Sequence, residues 1–482
     1  MTSLVRLIVY IKQYAWTFWL SVTGMFIARL IEGSIPMFVQ KGIDAIASGQ
    51  ASIKLDAEFD ISQAMDPLIF PVTMICICVA VQTVVTIAYR IGMRRIGVNA
   101  SYDLRNRLYK HMQLQSLLFF SKYRIGDLMA RAINDINLCR EILAGAIRMT
   151  IILFMTAAVG IGYMFSYSVE LTLAVIIPLP VIGYVAFVFS KKIYVQSYMV
   201  QEGFASVSTF VQENLNGIRT IQSMAQEDRE IERFKSVNGD FVNKNIDLFI
   251  TNSFLSALAA SGTLIIIGYG STLLNQGHIT IGTFAAFFSY LGLLLWPVRE
   301  AGNLVTQWQR GASGTARLFE ILDHEPEIED SPSREYPEVS GKISVNHLSY
   351  EYEGKGKLAL RDLTFEVKPG ETIAILGKVG SGKSTLLRLL VRLLDPTNGQ
   401  ILLDDHPINR FPLSVLREKV CMVLQDPFLF ADSLGENIAY DNPSRDPSKI
   451  LDIARAAALD DTVESFPEGL DTILGERGVT LS

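Results

Sequence analysis

The residues best suited to chemistry are Gly377-Lys378-Val379-Gly380-Ser381-Gly382-Lys383-Ser384-Thr385. They match G-x-x-x-x-G-K-[ST] in full, and the chemistry of that spacing is phosphate binding. Its glycines let successive backbone N–H groups turn inward around phosphate oxygens. A helix opening directly after the loop adds its positive end. Lys383 is expected to reach the β- and γ-phosphates of a nucleotide, and Ser384 to ligate Mg²⁺. A chance match in a Gly-rich turn is the bland alternative, and the flanks speak against it. Thr372-Ile373-Ala374-Ile375-Leu376 reads as a near-continuous apolar strand of the buried parallel type. Leu386 to Leu394 reads as a largely apolar helix, the context the motif requires.

The elements that must carry this loop are of two kinds. The chain has 482 residues, enough for more than one domain. Only 19% of them are charged, against about 25% in soluble domains, and the mean hydropathy is +0.29. This excludes a disordered or low-complexity chain and argues against one ordinary soluble enzyme. A net charge of −6 leaves no whole-chain footprint for nucleic acid, so no nucleic-acid partner is expected. Four cysteines, Cys76, Cys78, Cys139 and Cys421, are too few and scattered for a disulfide framework and read as structural thiols.

The apolar residues are concentrated. A spanning helix needs about 20 of them, and six candidate spans fall near 16–38, 67–90, 144–166, 170–190, 249–273 and 279–298. The stretch Leu248 to Val298 carries no formal charge and is divided by the polar turn Asn275-Gln276-Gly277-His278. Arg6 and Lys12 precede the first run, as in a signal peptide, but that run is long and no A-x-A site follows, so it reads as an uncleaved span. Arg29 and Glu32 interrupt it. Charges within a membrane suggest function, while their i, i+3 spacing equally permits a mutual pair.

Lys and Arg set orientation. Segment 39–66 has only Lys41 and Lys54, whereas 93–141 has Arg94, Arg95, Arg105, Arg107, Lys110, Lys122, Arg124, Arg131 and Arg140. Segment 191–247 is also basic, from Lys191 to Lys244. These two long loops are therefore expected to be cytoplasmic, with both termini, in a multi-pass protein of the cytoplasmic membrane. Neither contains Pro, and positions such as Leu104, Leu108 and Met112 recur at helical spacing, so long helical hairpins are expected. An acidic, Pro-containing linker follows at 321–341, separating a membrane domain at 1–320 from a domain at 342–482 that begins with short β-type runs.

Six spans, two long cytoplasmic loops and a C-terminal phosphate loop resemble an ABC exporter half-transporter, and the bacterial multidrug type most of all. Phe119-Phe120-Ser121-Lys122-Tyr123-Arg124-Ile125-Gly126-Asp127-Leu128 is similar to that family's first intracellular loop, and Glu213-Asn214-Leu215-Asn216-Gly217-Ile218 to its second. Val423-Leu424-Gln425-Asp426-Pro427 resembles the Q-loop, Gly475-Glu476-Arg477-Gly478 the X-loop, and Leu481-Ser482 the opening of the LSGGQ signature. The resemblance implies an all-α six-helix transmembrane domain with long cytoplasmic extensions, followed by an α/β P-loop NTPase domain. It implies ATP and Mg²⁺ as cofactors and ATP-driven export of hydrophobic or amphipathic small molecules. It also implies a second half-transporter, identical or different, as partner within the lipid bilayer. By position it makes Tyr352 the aromatic that stacks on adenine, with Tyr350 of the same strand parity as the alternative. It makes Gln425 a contact to Mg²⁺ and the attacking water, and the turns near Phe120–Gly126 and Gln212–Gly217 coupling helices.

The sequence given stops two residues into the signature-like segment. Ile401-Leu402-Leu403-Asp404-Asp405 reads like a Walker B strand, but it lies too soon after Thr385 and is expected instead to be a strand and turn of the β-subdomain. The chain as written is therefore expected to bind ATP without cycling hydrolysis, as a fragment or a degenerate subunit. A nucleotide-binding membrane subunit that regulates another half-transporter without pumping is the alternative function. A peptidase-linked exporter is weaker, since only about 15 residues precede the first span.

Overall fold

A computed structural model describes residues 2–48, 61–259, 261–331, 338–352, 356–425 and 428–475. Two compact units emerge, one comprising Met1–Gln115 with Phe120–Glu325 and the other Ser116–Phe119 with Pro326–Ser482.

The first unit is helical. Its principal helices are α1 (Ala15–Ala47), α2 (Ile61–Gln113), α3 (Ile147–Tyr167), α4 (Leu179–Asn216), α5 (Glu227–Ala259) and α6 (Ile281–Leu322). At 1.5 Å per residue, α2 alone runs about 80 Å, more than twice the ~30 Å of a bilayer's hydrocarbon core. Helix α2 thus carries the chain past its apolar stretch into the basic segment after Arg90. Helices α4 and α5 do the same for the second loop and pack along each other, with Phe204 against Phe241 and Phe210 against Phe234.

Among the described residues, four helical stretches are long and apolar enough to cross a membrane: Ala15–Ala47, Leu68–Gln113, Ile125–Tyr167 and Ile281–Leu322. The other two expected spans are not among these four. That at 170–190 breaks between Ile176 and Leu179, where Pro178 cannot continue the preceding hydrogen-bond ladder. That at 249–273 runs through residue 260, outside the described residues.

The core of this unit forms where backbones approach closely. A Cβ on Gly33 would lie 2.7 Å from the Tyr163 ring. The Tyr290 hydroxyl donates to the Gly33 carbonyl at 3.0 Å, which satisfies its one polar atom in an otherwise apolar cluster. Arg29 and Glu32 pair with each other on α1. Helix α6 starts at an N-cap, with the Thr283 amide donating to the Thr280 hydroxyl at 3.0 Å. Its C-terminal part is fixed by Arg317, whose Nε and Nη2 both donate to the buried Asp135 carboxylate, at 3.0 and 2.5 Å.

The second unit holds a four-stranded sheet of β1 (Ile343–Glu351), β2 (Leu358–Val367), β3 (Asn398–Leu403) and β4 (His406–Pro407), in the order β2-β1-β3-β4. Every pairing is antiparallel; Val345 lies opposite Phe365 on one side and Ile401 on the other. Leu348, Leu360 and Ile401 bury one face of this sheet against Leu386 and Leu389 of helix α7 (Lys383–Leu390), and Leu416 of helix α8 (Leu413–Lys419) closes the cluster.

The strand expected at 372–376 does not form among the described residues. The backbone there is irregular and Leu376 is 92% exposed. A buried parallel strand needs partners on its edges and cover on its faces, and β1–β4 provide neither. The helix expected at 386–394 begins at Lys383 and ends at Leu390, where a turn replaces its last residues.

Candidate nucleotide site

The phosphate loop lies between the irregular 371–376 segment and α7. Gly380 and Gly382 adopt φ of 81° and 94°, conformations that only glycine takes freely. Gly382 has a second constraint, since a Cβ there would sit 2.6 Å from the Ala359 carbonyl oxygen of β2. Gly377 likewise leaves room for Ser381, whose Oγ would be 2.5 Å from an added Cβ. The spacing read from the sequence therefore has a steric cause at each of these glycines.

Lys383 opens α7. Its Nζ donates to the carbonyls of Gly377 at 2.7 Å and Lys378 at 3.0 Å, so the ammonium bridges the two ends of the loop it must serve. Val379, at the tip, is fully exposed, and Ser384 is exposed beside Lys383. The first N–H groups of α7 have no intrahelical acceptors, so the loop and helix start present donors and a cation on one accessible surface. This arrangement fits a polyphosphate, with Ser384 available to a divalent cation.

Tyr352 follows β1, and its hydroxyl lies 3.1 Å from the Thr385 hydroxyl. Tyr350 is 4% exposed in the sheet's core and meets the Tyr352 ring edge-on at 4.9 Å. The strand's alternation puts both tyrosines on one face. Tyr352, at the open end and half-buried, reaches the start of the loop-bearing helix through that hydroxyl.

Gln425 stands apart. It is exposed at the end of the irregular segment 421–425, and no hydrogen bond joins it to the loop among the described residues. Asp426 and Pro427, and the X-loop and signature residues after Gly475, lie outside the described residues.

Asp404 and Asp405 make the hairpin turn between β3 and β4, both at positive φ. Asp404 caps the start of β1, accepting from the amides of Ser340, Gly341 and Lys342 at 2.8, 3.1 and 2.9 Å. Partial burial alone would raise its pKa, but these hydrogen bonds and that of the Ser340 hydroxyl bring it down to about 2. The carboxylate is thus committed to a turn, as its place in the sequence suggests.

Part of the first long loop, Ser116–Phe119, belongs to the second unit. Leu118 packs against the sheet's core, and the Ser116 hydroxyl bonds to Glu327. Sequence reasoning passed over Ser116 and Glu327; a Ser at N-cap position before Leu117 was the available signal.

The family model described as ABC transporter transmembrane region matches residues 18–298, and the one described as ABC transporter matches 360–482. This chain belongs to the ABC transporter family. It fuses the family's membrane and ATP-binding regions in one polypeptide, as half-transporters do. Two Bacillus subtilis ABC transporter ATP-binding proteins are similar over nearly all of it. YknU is 29% identical across 100% of this chain and 81% of its own length, and YknV 30% identical across 99% and 78%. A Staphylococcus aureus relative named "Putative multidrug export ATP-binding/permease protein" is 28% identical across 99% of this chain and 82% of its own length.

Proposed function

We propose that this ABC transporter binds MgATP at Gly377–Thr385 and uses it, as half of a dimer, to export hydrophobic or amphipathic small molecules across the cytoplasmic membrane. The observation that carries this reading is the conjunction of Lys383 on the loop carbonyls and Tyr352 on Thr385, in a chain that also holds four long apolar helices. Residues Gly377 to Ser384 hold the phosphates, Ser384 and Gln425 the Mg²⁺, and Tyr352 the adenine. Gln425 must approach the loop for that role. The multidrug-export name of the staphylococcal relative supports the cargo class.

The basic segments 93–141 and 191–247 support an orientation with both loops and both termini in the cytoplasm. The partner is a second half-transporter, of the same or another kind.

Uptake of a fluorescent amphipathic dye by inverted membrane vesicles tests the reading. MgATP should drive uptake in wild type and not in Lys383→Ala. Nucleotide binding without ATP-dependent uptake would favour a regulatory subunit instead.

A further inference from the structure

Helix α7, which carries Lys383, ends in a strained turn. Leu393 N donates to Arg388 O at 2.8 Å and Arg392 N to Leu389 O at 3.0 Å, a complete Schellman closure. The residue in its left-handed position is normally Gly or Asn. Here it is Arg392, at φ 49°. Such strain persists only where the surroundings hold it, and it points to a task.

Two partners hold Arg392. Its buried side chain donates through Nε and Nη2 to Asp395, at 2.9 and 3.3 Å. Its carbonyl accepts from Arg417 Nη2 at 3.0 Å. Arg417 lies on α8, whose first amide, Leu413 N, donates to Asp330 at 2.7 Å. Partial burial and the Arg392 guanidinium depress the Arg417 pKa, and the Asp330 carboxylate opposes both. Asp330 belongs to the linker, three residues after Glu327, the partner of Ser116. A groove of about 420 Å³ runs among Ser116, Leu118, Glu327, Leu394 and Asp395, so Asp395 serves both the groove and the strained turn.

We infer that Asp330 and Arg417 are positioning residues through which occupancy of the phosphate loop is registered at linker residues 326–331. This rests on reading the loop as an ATP site. Arg417 clamps the far end of the loop's helix, and Asp330 ties the start of Arg417's own helix to the linker. Ordering of the loop by nucleotide then restrains α7, its closing turn, α8 and the linker in series. By linkage the effect is reciprocal, so the linker's state also biases nucleotide affinity. The linker continues the chain directly from α6, which gives the rest of the protein access to that signal.

Hydrogen–deuterium exchange of the full chain in detergent, with and without MgATP, tests this. Peptides covering 377–390, 411–420 and 326–331 are followed in wild type, Arg417→Met, Arg417→Lys and Asp330→Ala. In wild type, ATP should slow exchange in all three, by about fivefold or more, the lower end of ordinary couplings. Arg417→Met and Asp330→Ala, which removes the acceptor of the Leu413 amide, should keep the slowing at 377–390 and lose it at 326–331. Arg417→Lys, which keeps the charge and donors on a shorter reach, should restore part of it. Asp330→Ala, at an exposed contact, carries the test if Arg417→Met fails to fold. Slowing at 326–331 that survives in the variants, or that is missing in wild type while 377–390 responds, would overturn the inference. A wild type that responds nowhere would overturn the ATP reading beneath it.

Discussion

At the residue scale, Tyr352 and Asp404 show how neighbours assign roles to side chains that look alike in sequence. Tyr352 offers a ring near the phosphate loop and a hydroxyl to Thr385. Tyr352→Ala should weaken ATP binding by ~1–3 kcal/mol, the usual worth of a base-stacking aromatic. Tyr352→Phe should lose only the hydroxyl contact, about 1 kcal/mol at most. Titration with a fluorescent ATP analogue separates the two, and equal losses would refute stacking. Asp404 makes a pH prediction. Its folded pKa of about 2 lies below the ordinary Asp value near ~3.9. Its contribution is therefore complete above that ordinary value and is lost as pH falls toward 2. Asp404→Asn should lower the unfolding temperature of the nucleotide unit at pH 7, and the gap from wild type should close on acidification below about pH 4. A gap unchanged down to pH 2 would show that the charge is not what holds the turn.

At the element scale, Arg317 locks α6 to the π-helical segment Arg131–Asp135 through a carboxylate that is 5% exposed. Arg317→Met strands that charge and should cost about 3 kcal/mol, the lower end for broken buried pairs because Arg317 itself is half-exposed. Adding Asp135→Asn should recover part of the loss. Thermal unfolding of the two single variants and the double variant checks this, and strict additivity would deny the pair. How far such elements can be read in advance depends on what fixes them. The phosphate loop was legible because each glycine answers to a local constraint, φ at Gly380 and a carbonyl beside Gly382. The helical course of α4 and α5 through segment 191–247 was legible from periodicity and the absence of Pro there. The apolar run 372–376 was misleading, because a strand exists only with its neighbours and sequence shows only its own composition. The turn at Arg392 was illegible: no local rule places arginine in a glycine's conformation, and what holds it, Arg417 and Asp395, acts through three-dimensional contact. Tyr350 and Tyr352 share strand parity, so in sequence only nearness to the turn distinguishes them.

At the scale of the whole molecule, the chain joins two kinds of surface. Apolar helices such as α2 present residues like Val84 outward, to lipid or to another helix, while the nucleotide unit presents a cationic, donor-rich loop to solvent. Family membership accounts for the two surfaces in one polypeptide, since the chain joins the membrane and ATP-binding regions of an ABC transporter. Everything proposed about export, partner and signalling depends on that loop holding ATP. The most direct test is equilibrium binding of labelled MgATP to the purified full chain and to Lys383→Ala, with thermal unfolding confirming that both are folded. Lys383 bridges Gly377 and Lys378 at the loop's rim, so its removal should leave the fold intact and reduce ATP affinity by at least about tenfold, in line with the ~1.5–3 kcal/mol of a charged hydrogen bond. Equal binding by the two folded proteins would contradict the account.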